Sequence, residues 1–165
     1  MKPKLYLETT IPSYLTARPT RDPLMAGQIS ETKKWWRLRR NDFELFISPI
    51  VTLEANRGDA SAARRRMQVL DGLPELPISP EVEELLSAIR GARLLPEKAS
   101  ADALHIAIAA AHRLHFLLTW NCTHINNREI LRRLSGFAPV WAMLAPWFAL
   151  RSKLWEHLNH ERYNR

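Results

Sequence analysis

Short apolar runs rich in β-forming residues recur along this chain, and helix-length stretches opened by a cap and a proline separate them. Lys4-Leu5-Tyr6-Leu7 ends at Glu8-Thr9-Thr10 and reads as a buried strand. Asp22-Pro23 is an N-cap followed by proline at the first helical position, and Met25, Ile29 and Trp36 then recur at helical spacing, predicting a helix to about Arg40. Phe43 to Ile47 predicts a second strand, and Ser48-Pro49 repeats the opening signal for a helix carrying Glu54. Gly58 ends that helix and Asp59 caps the next, Ala60 to Leu70. Leu76-Pro77-Ile78 reads as a weak strand, since its proline removes a ladder donor. Ser79-Pro80 opens a helix ending near Gly91. An alanine-rich helix starts at Pro96 or Ser100 and runs through Ala111, with Leu104, Ile108 and Ala111 on one stripe. His115 to Thr119 is the strongest buried strand; Trp120-Asn121 ends it, and a helix follows from about Asn126 to Leu134.

Strands alternating with helices build βαβ units, which require right-handed crossovers and a parallel sheet covered on both faces. The expected fold is therefore α/β, a three-layer α/β/α sandwich around a mainly parallel sheet. In such sheets ligands bind beyond the carboxyl ends of the strands, which directs attention to Glu8-Thr9-Thr10 and to Thr119-Trp120-Asn121. With 165 residues the chain is the length of one domain. Residues 1–145 form that domain, with a last strand at Pro139 to Met143. Residues 146–165 read as an amphipathic helical tail bearing Trp147, Leu150, Leu154 and Leu158.

Several chemistries are excluded. The five glycines stand at 27, 58, 72, 91 and 136, so neither a GxGxxG turn nor a phosphate-binding GxxxxGK loop exists, and GxSxG is absent too. One cysteine, Cys122, makes neither an internal disulfide nor a zinc pattern. No signal peptide or membrane span is expected, which points to the reducing cytoplasm. A net charge of +7 suits a polyanionic or acidic partner, although it also serves solubility alone.

What remains is a set of acids and one amide. Glu8 follows the first strand, Glu54 lies in the helix after the second, Asp102 lies near the start of the alanine-rich helix, and Asn121 follows the strong strand. Each has a plainer role: a solvated strand end, a helix surface, a favourable partner for the helix dipole, a turn-closing side chain. Gathered in one crevice, however, their hard oxygens suit Mg²⁺ or Mn²⁺, and three carboxylates without a cation would repel one another.

Taken with their order, Glu8-Thr9-Thr10, Glu54, Ala101-Asp102-Ala103-Leu104-His105-Ile106-Ala107 and Leu118-Thr119-Trp120-Asn121 resemble the four motifs of PIN-domain ribonucleases, and within them the VapC-like toxins of toxin–antitoxin pairs. The resemblance spans roughly residues 3 to 135. It implies a metal-dependent endoribonuclease that hydrolyses RNA phosphodiesters with Mg²⁺ or Mn²⁺, forms a homodimer and is bound by an antitoxin protein. It also implies that Glu8, Glu54 and Asp102 ligate the ion, that Asn121 takes the fourth position, and that Thr10 and Thr119 support the site. Two positions depart from the pattern. The first acid is usually Asp, and Glu8 is a methylene longer, a demand on coordination that tolerates little beyond about 2.0–2.1 Å. The fourth is usually an acid, and neutral Asn121 lowers the charge by one. The alternative that these departures favour is a catalytically weak PIN-like module that binds RNA or an antitoxin.

Secondary candidates surround this set. Arg57, Arg64, Arg65 and Arg66 lie just beyond Glu54 and are candidates for RNA phosphates, Arg57 and Arg64 first, since consecutive arginines on a helix point in different directions. Arg37, Arg39 and Arg40 read as a solvated helix end. His105 and His112, seven apart, are too far apart for a metal pair and read as core or interface, while His124, close after Asn121 and Cys122, reads first as a loop histidine without a role and second as a residue lining the cleft. Trp35 and Trp36 supply core or interface area in preference to base stacking.

Overall fold

The computed structural model describes residues 1–134 and the strand 141–144, so the expected tail at 146–165 lies outside the described residues. Four strands, β1 (Lys4–Leu7), β2 (Glu44–Phe46), β3 (Phe116–Thr119) and β4 (Trp141–Leu144), form one sheet in the order β2-β1-β3-β4. All three pairings are parallel. Leu5, Tyr6 and Leu7 of β1 and all four residues of β3 are buried, which requires cover on both faces and bears out the α/β sandwich.

The helices are α1 (Thr10–Leu15), α2 (Pro23–Arg39), α3 (Pro49–Ala55), α4 (Ala60–Leu70), α5 (Pro80–Gly91), α6 (Ser100–Ala111) and α7 (Arg128–Leu134). The Asp22 carboxylate accepts from the amides of Leu24 and Met25, and Asp59 accepts from that of Ala62, so both act as the expected caps. Three expectations are corrected. Leu76 to Ile78 is not a strand: proline in the run leaves one isolated bridge, between Ile47 and Glu75. The short α1 was not foreseen, and it tolerates Pro12 because the first amides of a helix have no internal partner. On α6 the burial runs from Ala103 through His105 to Ala109 and is not confined to the Leu104–Ile108–Ala111 stripe, for Leu104 and Ala111 are only partly buried. A helix packed between sheet and α5 has little face left for water.

Trp35 is 3% exposed and packs against Phe43 and Trp36, the expected core role. The basic end of α2 is less solvated than expected. Arg39 pairs with Asp42 at 2.6 Å, and the Arg40 guanidinium lies over the Trp36 ring at 4.4 Å from its centroid.

The chain leaves β1 toward β2 on one side, while β3 adjoins β1 on the other. That reversal makes a crevice at the carboxyl ends of β1 and β3. Glu8 and the Thr119–Asn121 segment stand there.

Candidate metal centre

The crevice is built around Glu8, which is 5% exposed. Its backbone amide continues the ladder by donating to the Leu118 carbonyl at 3.1 Å. One side-chain oxygen, Oε2, accepts three hydrogen bonds: from the Thr10 amide (3.0 Å), the Thr10 hydroxyl (2.5 Å) and the Thr119 hydroxyl (2.8 Å). The two hydroxyls are themselves aimed. Thr10 Oγ1 accepts from the Trp120 amide at 2.9 Å and Thr119 Oγ1 from the Asn121 amide at 2.8 Å, so each has its single proton left for Glu8.

Glu54 reaches the same place from α3. Its Oε2 accepts from the Thr9 hydroxyl at 2.5 Å and lies 3.2 Å from His105 Nε2. Burial pushes the Glu54 carboxyl up, but the hydrogen bonds from His105 and Thr9, with the Arg57 charge, outweigh it and hold the group below its ordinary value. Ligand atoms of Glu8, Glu54 and His105 all lie within 4.8 Å of one another. Among the described residues no protein donor bonds Oε1 of Glu8 or of Glu54. Two carboxylates this close, each with one oxygen anchored and the other open, fit a divalent cation.

Asp102 and Asn121 stand beside this pair. Asn121 Nδ2 donates to Asp102 Oδ1 at 2.9 Å, and His124 Nδ1 lies 2.7 Å from Asp102 Oδ2. Asn121 Oδ1 also accepts the His124 amide at 3.1 Å. Three of the four residues singled out from sequence thus belong to one network, Asp102 to Asn121 to Thr119 to Glu8, and Glu54, bonded to Thr9 and His105, stands beside it. Asp102 itself meets protein donors at both oxygens and does not belong to the compact Glu8–Glu54–His105 group.

Four residues of the site escaped the sequence reading or were given other roles. His105, read as core or interface, is 1% exposed and bonded to Glu54. It stands three residues after Asp102, hence on nearly the same helix face, a spacing that would have found it. His124, read as an idle loop residue, grips Asp102. Tyr6 lies two residues before Glu8 and so on the same face of β1. Its hydroxyl contacts Ser48 Oγ at 2.6 Å and His105 Nδ1 at 2.8 Å. Ser48, whose position beside Pro49 reads as a cap, makes no side-chain cap bond.

Thr10 and Thr119 hold Glu8 as described. Arg57 and Arg64 are exposed, Arg65 bonds Ser61, and Arg66 donates to the carbonyls of Ala55 and Arg57, closing the carboxyl end of α3. Partial burial pushes the Cys122 thiol up, opposite to what a nucleophile needs.

Burial also pushes the Tyr6 phenol far above its ordinary value of 10.0; the Ser48 hydrogen bond opposes this, and the Glu8 and Glu54 charges add to it. Because the folded value is raised, the stability Tyr6 contributes is complete below pH 10.0 and is lost as pH climbs toward the folded value. Urea unfolding followed upward from that pH should show this one group lowering the unfolding free energy by about 1.4 kcal/mol per pH unit. The profile of Tyr6→Phe should be flatter by that slope, and parallel profiles would refute the assignment.

The fold is similar to that of one chain of a solved structure, VapBC2 from Rickettsia felis bound to a DNA fragment from their promoter. The two share 14% identity over 86% of this chain and 98% of that chain, with a TM-score of 0.57. At that identity the likeness is one of fold alone, an α/β architecture. No family model and no curated protein matches the chain. Among the described residues no helix is long and apolar enough to cross a membrane.

Proposed function

We propose that the protein is a Mg²⁺- or Mn²⁺-dependent endoribonuclease, acting as the cytoplasmic toxin of a toxin–antitoxin pair. The observation that carries the reading is the pairing of Glu8, just beyond β1, with Glu54, from α3, each with one oxygen fixed and one open. The fold likeness to a VapBC2 chain supports the toxin role and, with it, an antitoxin as partner; the family resemblance adds a homodimer.

Glu8 and Glu54 would hold the cation, with Asp102 at the edge of the site. When bound, the ion supplies Lewis-acid polarisation of a phosphoryl oxygen and a lowered pKa for an attacking water. The protein's own part is positional. Thr10 and Thr119 fix Glu8; Thr9 and His105 fix Glu54; Asn121 and His124 hold the Asp102 carboxylate toward the crevice loop. Substrate phosphates would meet Arg57 and Arg64, which are exposed beyond Glu54.

That last assignment has a separable signature. Arg64→Ala should leave Mn²⁺ affinity unchanged and reduce the slope of log RNA affinity against log salt by about 0.7, the value for one phosphate contact on a single strand. An unchanged slope for both Arg57→Ala and Arg64→Ala would remove them from the interface.

A second reading, a catalytically weak module that binds RNA or an antitoxin, draws on Asp102, both of whose oxygens already have protein partners. Mn²⁺-stimulated cleavage of RNA by the wild type, absent in Asp102→Ala, supports the nuclease; equal activity in both proteins contradicts it.

A further inference from the structure

We propose that Ser48, Tyr6 and His105 form a one-way chain of hydrogen-bond donors ending on Glu54, so that His105 is a positioning residue that donates to the site and is not itself a ligand to a cation. Distance alone would group His105 Nε2 with Glu8 and Glu54 as a two-carboxylate, one-imidazole centre. Following the protons gives a different result.

Glu54 Oε2 is an acceptor, since the Thr9 hydroxyl donates to it. His105 Nε2, facing that same oxygen at 3.2 Å, therefore carries the proton. In the neutral imidazole Nδ1 is then a lone pair, and it faces the Tyr6 hydroxyl at 2.8 Å. The phenol has one proton, which goes to Nδ1. Its oxygen is left to accept, and Ser48 Oγ at 2.6 Å supplies the donor. Tyr6 and Ser48 are 0% exposed and His105 is 1% exposed, so solvent offers none of them another partner. Each member therefore fixes the proton of the next, and the histidine tautomer is set by a tyrosine on β1 and a serine at the start of α3.

Two consequences follow. A histidine whose Nε2 bears a proton aimed at a carboxylate has no lone pair on that side for a metal, and its Nδ1 lone pair is taken by the Tyr6 hydroxyl, so the donors left around Glu8 and Glu54 are oxygens only. Such a set prefers hard ions, Mg²⁺ or Mn²⁺, over Zn²⁺. And because the chain orients Glu54, breaking it should weaken cation binding even though no ligand is touched, typically 10–100-fold for partners of this kind.

The last step rests on the divalent-cation reading; the proton order does not, and the experiment separates them. The full-length protein, labelled with ¹⁵N-histidine and metal-free near neutral pH, should show His105 as the Nε2–H tautomer in long-range ¹H–¹⁵N spectra, the signal being assigned by its absence in His105→Gln. Adding Mg²⁺ should leave that proton in place. An Nδ1–H tautomer in the metal-free protein, or loss of the Nε2 proton on adding Mg²⁺, overturns the proposal. In calorimetry, Tyr6→Phe and His105→Leu should bind Mg²⁺ about 10–100-fold more weakly, while His105→Gln, whose amide can donate to Glu54, stays within a few-fold of wild type. Equal affinity in all four proteins overturns the positioning role. Retention of the Nε2–H tautomer with no Mg²⁺ binding in the wild type supports the donor chain and refutes the cation reading.

Discussion

Glu54→Gln is expected to reduce Mn²⁺-stimulated RNA cleavage by on the order of 10²–10³-fold, about 2.7–4 kcal/mol of lost transition-state stabilisation, while the protein stays folded. The substitution keeps the shape of the side chain. Its terminal oxygen can still accept from Thr9 and His105, so the local hydrogen bonds of α3 survive. What disappears is the negative charge that faces Glu8 across the crevice. In the metal-free protein that charge still favours the fold, because Thr9, His105 and Arg57 together hold the Glu54 carboxyl below its ordinary value despite the neighbouring Glu8. The thermal midpoint of metal-free Glu54→Gln should therefore fall only slightly below that of wild type near neutral pH, even as activity collapses. A small change in stability beside a collapse of activity is the mark of a functional carboxylate. A variant that cleaves RNA at the wild-type rate, or that is both inactive and unfolded, contradicts this account of Glu54.

Asp102→Ala is expected to do something different. Asp102 accepts from Asn121 and pairs with His124, so its removal leaves the Asn121 amide and the His124 ring without their acceptor. These groups are partly buried, the Asp102 and His124 side chains being 18% and 20% exposed, and an abandoned partner of this kind costs about 1–3 kcal/mol. Asn121 also continues to Thr119 and thus to Glu8, so the disturbance reaches the first carboxylate through one intervening hydroxyl. The expected result is loss of both cleavage and stability, with the urea midpoint falling by that amount. His124→Ala should reproduce part of the stability loss, and the double variant should lose less than the sum, since both remove the same bond. Additive losses would mean that Asp102 and His124 do not act as a pair.

Much of the frame was legible because four of the helices announce their starts locally. Asp22 and Asp59 cap helices where their positions require, and the proline after Asp22, Ser48 and Ser79 marks three starts. The run at Phe116–Thr119 is buried throughout, as continuous apolar character in a parallel strand demands. The crevice followed from topology, and Glu8 and Asn121 could be placed at its rim from strand ends alone. The interior of the site was harder to see. Local signals compete at Ser48, where a serine before proline promises a cap, yet its hydroxyl turns to Tyr6. A histidine within an alanine-rich helix resembles packing until Glu54, 51 residues away, arrives beside it. His124 sits in a loop with no periodicity to report which way it faces. These are contacts between distant segments, and apart from the three-residue step from Asp102 to His105, spacing along the chain carries no trace of them.

The most direct test of the Glu8–Glu54 centre is calorimetric titration of Mn²⁺ into the metal-free, full-length protein and into Glu8→Gln. A single saturable site in the wild type that is lost in the variant is the predicted result. No binding at millimolar Mn²⁺, or the same affinity in both proteins, would contradict it.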